Sequence, residues 1–389
     1  MEDWAKLLQL VPRPPRWQID WEALEASPLH PFFAKMSEIY QNPVWHGEGD
    51  VRTHTRMVCQ ELVNRSDFRG LPARQRQEVF LAALLHDIGK IPCTKLEDGC
   101  FVSPNHTVTG ARMAREFLHT VFGLGGGQEQ IRFRETVCGL IRYHSLPPHI
   151  FDQEEPKRRL LKAAANGELS EDFTIRLLCM LEEADVRGRI SENIQESTDT
   201  VCLCAELAEE ASCLDGPFPF ASAYSEHAFF SGRRIQPEQE LYDDTWGEVV
   251  LMSGLPGTGK DTWIRTHLKG LPVISLDEIR KEMHISPEDA QGPVAASARE
   301  QARQYLRQQI PFVWNATNLT PALREKQIRL FHDYHASVRI VYLETGWEEQ
   351  LRRNKSRKET VPETAIGRML KNLVLPERWE AEKVEWVSV

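Results

Sequence analysis

The heptapeptide GLPGTGK, Gly254 to Lys260, constrains this chain more than any other stretch. It fits G-x-x-x-x-G-K and stands between an apolar strand-like run, EVVLMS, and a helix-forming run that begins at Lys260. The physical logic is local. Gly254, Gly257 and Gly259, with Thr258 among them, let consecutive backbone N–H groups converge on phosphate oxygens. The helix N-terminus adds a favourable dipole, and Lys260 reaches the β and γ phosphates of a bound nucleotide. The next residue is Asp261, where such turns usually carry a hydroxyl that touches magnesium; Thr262 follows. Phosphate binding is expected, and two readings of the metal ligand stay open: the Asp261 carboxylate, or Thr262 after a slight shift.

From Trp246 onward, short strands alternate with helices. EVVLMSG, PVISLD, PFVWNAT and SVRIVYLET read as four strands of a parallel sheet with right-handed crossovers. Polar residues at the strands' carboxyl ends then face one crevice. Asp277, in SLDEIR, is placed there to accept a proton from an attacking hydroxyl, or else to cap a helix. Arg280, one turn on, is an acceptor-phosphate ligand or a surface arginine. Asn315, Thr317 and Asn318 belong to the crevice or to ordinary turn chemistry. Arg353 and Arg357 are four apart in a stretch, 352–358, with five basic residues and no acid. They either offset charge on a transferring phosphate or make a solvated helical face.

The first 215 residues are helical in pattern, with segments near 50–64, 74–88, 106–122, 132–145, 158–166 and 170–187. Several ionisable groups sit on their apolar faces: His54 with Val51 and Val58, His144 with Val137, Leu140 and Ile141, Asp185 with Leu178 and Leu181. A buried carboxylate is costly unless paired or metal-bound. One histidine of this kind is most simply a satisfied core residue; several from different helices point to a shared cation. His54, His86, Asp87 and Asp185 make a nitrogen and oxygen ligand set for a transition ion, and His106 and His144 can hold a second, with Asp87 bridging. Such an ion lowers the pKa of water and polarises a phosphoryl oxygen. Lys90, Arg187 and Arg189 are phosphate contacts or plain surface cations.

The 389 residues suit two domains. The expected division is 1–215, a connector at 216–245 rich in Pro, Gly and aromatic residues, and 246–389. All eight cysteines precede residue 214 and form no C-x-x-C pair. They read as reduced thiols, with a clip at Cys202 and Cys204 the alternative. A net charge of −10 argues against a general nucleic-acid coating protein. No apolar run approaches the roughly 20 residues of a membrane span, and MEDWAKLLQL lacks the features of a secretory signal. A cytoplasmic protein without a membrane partner is expected.

GLPGTGKDTW, LDEIR, ATNLTP and RRNKSR followed by VP, in this order, resemble the phage-type polynucleotide 5′-kinase family over residues 246 to about 375. That resemblance implies ATP and Mg²⁺ as cofactors, Lys260 as phosphate ligand, Asp277 as general base, Arg280 and Asn318 on the acceptor, and Arg353 with Arg357 as a lid. The chain departs from it at Asp261, where the family has Ser, and at Ala316, where the family's D-T-N triplet has its aspartate. The order His54, His86–Asp87, His106, His144, Asp185 resembles the HD phosphohydrolase superfamily over about 45–190. There Asp87 is a central ligand, Lys90 and Arg187 approach the phosphate, and one or two ions of Mn, Co, Ni, Fe or Zn are implied. The whole layout is similar to the bacterial HD-Pnk family of RNA end-healing enzymes: an all-α HD bundle followed by an α/β P-loop kinase. The implied reactions are removal of a 2′-phosphate or 2′,3′-cyclic phosphate and phosphorylation of a 5′-OH polynucleotide end, ahead of a ligase. The alternatives are an HD nucleotide phosphohydrolase fused to a small-molecule kinase, or to a regulatory NTPase. Oligomeric state is not legible.

Overall fold

The computed structural model describes residues 2–286, 288–357 and 359–389. The chain divides into two compact units, Met1–Leu124 with Glu129–Phe218, and Gly125–Gln128 with Pro219–Val389.

The first unit is helical. Its main elements are α1 (Val51–Asn64), α2 (Ala73–Leu85), α3 (His106–Thr120), α4 (Gln128–Tyr143), α5 (Pro156–Ala164), α6 (Ile175–Arg187) and α7 (Ile194–Glu210). Asp50 starts α1 by accepting the Thr53 N–H at 2.9 Å, and Thr174 starts α6 by accepting that of Leu177 at 3.2 Å. The buried stripe of α1 holds Val51, Val58 and Leu62, and His54 lies on the same stripe. The segment anticipated at 170–187 begins later, because Glu171 adopts φ 69° and ends a separate short turn at Gly167–Ser170. Helix α7 escaped the periodicity reading. Its buried stripe is Thr198, Val201, Cys204 and Ala208, small residues with a weak apolar signal. Cys204 is buried and Cys202 exposed, since a two-residue offset turns about 200° around a helix, so the pair forms no clip.

In the second unit, α8 (Ala223–Phe230) is capped by the Ser222 hydroxyl, which accepts the Ser225 N–H at 3.1 Å. The sheet follows: β1 (Glu248–Ser253), β2 (Val273–Ser275), β3 (Val313–Asn315), β4 (Ser337–Glu344) and β5 (Lys383–Ser388). Between the strands lie α9 (Lys260–His267), α10 (Leu276–Glu282), α11 (Gly292–Arg307), α12 (Pro321–His332), α13 (Trp347–Lys355) and α14 (Glu363–Lys371). The strands are parallel, in the order β2-β3-β1-β4-β5. Strand β5 was not anticipated. It is an edge strand whose charged side chains, such as Glu385 bound to Arg339 at 2.6 Å, hide its alternation.

One face of the sheet packs Val250, Met252, Val313, Val341 and Leu343 against Trp263 and Ile264 of α9. Each such side chain contributes about 1.5–3 kcal/mol of transfer free energy. Arg324 of α12 is fully buried, with its fork on Glu380 at 2.6 and 2.7 Å and further bonds to the carbonyls of Asn318 and Val374. These bonds tie the loop after β3 to the segment before β5. Among the described residues, no helix is long and apolar enough to cross a membrane. The architecture is therefore an all-α unit and a P-loop α/β unit with a parallel sheet, as the sequence reading expected.

Candidate active sites

In the helical unit, six ionisable residues separated in sequence meet in the interior. His54 comes from α1, His86 and Asp87 from the turn after α2, His106 from the start of α3, His144 from the end of α4, and Asp185 from α6. All but His106 are at most 3% exposed. The His54 Nε2 atom lies 2.8 Å from Asp185 Oδ1 and 3.7 Å from Asp87 Oδ2. The His86 Nε2 atom lies 3.2 Å from Asp87 Oδ2 and 3.8 Å from Asp185 Oδ1. Asp87 Oδ1 faces His106 Nε2 at 3.6 Å and His144 Nε2 at 4.0 Å. Two trios of ligand atoms result, His54–His86–Asp87 and Asp87–His106–His144, and they share Asp87.

Gly89 allows this convergence. A Cβ there would sit 2.0 Å from the His106 carbonyl oxygen, so only glycine lets α3 approach the turn that carries Asp87.

The tautomers fit a metal site. His86, His106 and His144 each donate their Nδ1–H to a backbone carbonyl three residues back, at 2.8, 2.9 and 2.8 Å. Each Nε2 therefore presents a lone pair toward Asp87. Burial, with His86 and His106 beside it, lowers His144 to about 3, and burial also lowers His106. Both rings are then neutral, and their Nε2 lone pairs face each other at 3.4 Å. That arrangement is repulsive without a cation between them. Asp87 Oδ1 and His86 Nε2 are likewise buried without a hydrogen-bond partner. A divalent ion satisfies all these atoms together, so the residues present fit the group that the chemistry implies.

Two further groups set the electrostatics. Burial would raise the Asp87 carboxyl, but the Lys90 ammonium beside it outweighs that and holds it well below the usual carboxylate range. The Lys90 ammonium lies 2.8 Å from Asp87 Oδ2 and donates to Gln41 Oε1 at 2.6 Å. Arg189 pairs with Asp185. Arg187 is not brought to the cluster: two residues on from Asp185, it lies on the opposite face of the helix and binds Glu183 at 2.9 Å at the surface. The expectation that it approaches the phosphate is corrected on that ground.

Sequence reasoning missed Glu48. One carboxylate oxygen lies 2.9 Å from His54 Nδ1 and 2.8 Å from His46 Nδ1, and the other accepts the Ile190 N–H at 2.8 Å. It fixes the His54 ring so that Nε2 points inward. It stands in an irregular loop of mixed polarity, and no periodic signal marks it. Glu48→Ala is expected to weaken divalent-ion binding about 10–100-fold, read by competition with a colorimetric chelator. Unchanged affinity would show that packing alone orients His54.

In the α/β unit, the glycine turn opens on a cavity of 510 Å³ whose lining includes Gly257, Gly259, Lys260, Asp261, Thr262, Asp277, Arg280, Asn315, Thr317, Arg353 and Arg357. Gly254 and Thr258 support the turn from beneath. Gly254 has φ 139° and would place a Cβ 2.4 Å from the Leu343 carbonyl oxygen, and Thr258 bonds the Leu255 carbonyl at 3.0 Å. The Lys260 ammonium folds onto the carbonyls of Gly254 and Leu255, both at 2.9 Å. Burial lowers it to about 8, against the opposing pull of Asp261 and Asp277. Asp261 accepts the Asn315 amide at 2.7 Å, which aims its carboxylate across the mouth of the turn.

Asp277 does not cap α10; Ser275 does, accepting the Glu278 N–H at 3.4 Å. The Asp277 carboxylate is exposed and pairs with Arg280, which also binds Gln291 at 2.8 Å. Arg353 and Arg357 both line the cavity, though not from one helical face. Helix α13 ends at Lys355, and the Asn354 side chain accepts the Val361 N–H at 3.1 Å and donates to its carbonyl at 2.8 Å. The chain folds back, and Arg357 enters from that turn. Asn318 is absent from the cavity. Held at φ 44° and buried, it donates its amide to the Met252 carbonyl at 2.7 Å. Its expected acceptor contact is corrected: the side chain bonds the backbone of β1.

Comparisons with known proteins follow this division. Residues 52–180 match the family model described as HD domain, and residues 249–376 match an AAA domain family, AAA_33. A solved structure, that of a gluconokinase from Sinorhizobium meliloti 1021, is 19% identical with a TM-score of 0.29, over 37% of this chain and 84% of that one. No curated protein matches. The chain thus joins an N-terminal HD domain to a C-terminal P-loop domain of the kinase type.

Proposed function

We propose that the chain heals broken RNA ends: the HD domain removes a 2′-phosphate or opens and removes a 2′,3′-cyclic phosphate, and the P-loop domain transfers the ATP γ-phosphate to a 5′-OH. The observation that carries this reading is the lining of the 510 Å³ cavity, where Lys260 and an exposed carboxylate, Asp277, paired with Arg280, share one space with Arg353 and Arg357. Three guanidinium groups suit an acceptor that is itself a polyanion.

In the kinase step, the turn's N–H groups and Lys260 hold the β and γ phosphates of ATP. Asp277 orients the 5′-hydroxyl and takes its proton as the new P–O bond forms and the bond to ADP breaks. Arg280 leaves Asp277 for the acceptor's phosphate, freeing the carboxylate. Arg353 and Arg357 take up negative charge on the transferring group. Asp261, aimed by Asn315, and Thr262 are the side chains able to hold Mg²⁺, which would neutralise the phosphates. In the HD domain, His54, His86, Asp87, Asp185, His106 and His144 would hold one or two divalent ions. A bound ion there lowers the pKa of water and polarises a phosphoryl oxygen. Lys90 neutralises the substrate phosphate beside Asp87, and Glu48 and Arg189 keep His54 and Asp185 in place. The products, a 5′-phosphate and a free 2′,3′-diol, are the ends a ligase joins.

The test is incubation of the pure protein with radiolabelled ATP, divalent ions and, separately, a 5′-OH oligoribonucleotide, a nucleoside and gluconate. Label is expected on the oligonucleotide, with phosphate released from a 2′-phosphate-ended partner strand. Faster transfer to either small acceptor would replace the polynucleotide assignment. ATP turnover indifferent to every acceptor would favour a regulatory NTPase.

A further inference from the structure

A second group of metal-ligating side chains lies in the α/β unit, away from the phosphate cavity. His227 is in α8, His332 is the last residue of α12, and Glu382 immediately precedes β5. One ligand atom from each falls within 4.8 Å of the other two. The two rings are 4.8 Å apart between centroids, and His332 Nε2 lies 3.0 Å from Glu382 Oε1.

We propose that His227, His332 and Glu382 form a zinc site that fastens the connector helix α8 to the N-terminal edge of the kinase-type sheet. This inference is independent of the assigned reactions.

The groups are prepared for a cation. The His227 Nδ1–H donates to the Trp379 carbonyl at 3.3 Å, which leaves Nε2 as the lone-pair atom. Glu382 is anchored by the Val338 N–H at 2.9 Å, so its carboxylate is held rather than mobile.

The ligand set decides the ion. Two imidazoles and one carboxylate, without sulfur, suit Zn²⁺ in a four-coordinate site that keeps one water. Shifts of less than about 1 Å per side chain bring the three atoms to Zn–N and Zn–O distances of about 2.0–2.2 Å. His332 is 27% exposed, which gives the water a place and the ion a path.

The location decides the role. Glu382 and the Val338 N–H lie where β4 and β5 begin, whereas the glycine turn follows the carboxyl end of β1, and these strands are parallel. About six residues of strand, roughly 20 Å, separate the two edges. The ion therefore does not reach the transferring phosphate. It joins three elements distant in sequence, and its binding energy adds to the stability of the unit.

The experiment uses the full-length protein, stripped with a chelator and dialysed against Zn²⁺, beside Glu382→Gln and His227→Ala variants. Gln still accepts the Val338 N–H, so that change preserves the local backbone bond. Each variant is expected to bind about one zinc fewer per chain than the parent, with HD hydrolysis and ATP binding retained. Added Zn²⁺ is expected to raise the melting temperature of the parent more than that of either variant. Equal zinc content in parent and variants would overturn the site. If Glu382→Gln loses ATP binding, His227→Ala, whose site lies outside the sheet, decides: an undiminished zinc count there also overturns it.

Discussion

Replacing Asp277 by alanine is expected to lower phosphorylation of a 5′-OH RNA end by about 10²–10⁴, the range for loss of a positioned general base. The HD reaction should keep its parental rate. The expectation rests on what Asp277 does not do for the fold. The N-cap of α10 is Ser275, and the Asp277 carboxylate is exposed with Arg280 as its bound partner. Removing it therefore costs little folding energy, since exposed ion pairs contribute about 0–1 kcal/mol. A drop in rate then reports on chemistry and not on stability. Single-turnover transfer at saturating ATP measures it, with nucleotide affinity as the control. A variant that phosphorylates RNA at the parental rate would remove Asp277 from the reaction. A variant that loses nucleotide binding as well would make it a structural member of the cavity.

How much of this was legible follows from how local each signal is. The phosphate turn is a seven-residue motif whose glycines, lysine and flanking elements all adjoin one another, so the strand, the turn and α9 could be read directly. The HD cluster was legible for a different reason: each ligand is polar on an otherwise apolar helical stripe, and the cost of burying it implies a partner. Arg187 and Asn318 lie away from their sites for one reason. Arg187 is near Asp185 in sequence, yet two positions on a helix point to opposite sides. Asn318 is near Asn315 and Thr317, yet a left-handed backbone at 318 turns its side chain under β1. Glu48 and the His227–His332–Glu382 group were invisible because their partners arrive from 6, 50 or more residues away, through loops without a period. Helix α7 and strand β5 were missed because small residues and edge charges blur the pattern on which such readings depend.

Asp87→Asn should separate the two activities from the other side. The substitution keeps shape and removes charge from the one residue shared by both ligand trios. With two sets of histidines facing a neutral amide, divalent-ion binding should weaken and HD hydrolysis should fall by about three orders of magnitude. That corresponds to the several kcal/mol a bound ion supplies to a phosphoryl transition state, at 1.36 kcal/mol per tenfold. Kinase activity should be unchanged. Chelation of the parent protein should mimic the variant in the HD assay, with activity restored by one or more of Mn²⁺, Co²⁺, Ni²⁺, Fe²⁺ or Zn²⁺. Lys90 controls for a trivial outcome: it retains Gln41 as a partner after the change, so the helical unit should still unfold cooperatively. Asp87 is buried beside the Lys90 ammonium, which needs a negative charge, and faces four imidazoles. If the neutral variant hydrolyses RNA phosphates at the parental rate, that charge serves the fold alone, and the hydrolytic centre lies elsewhere in the chain.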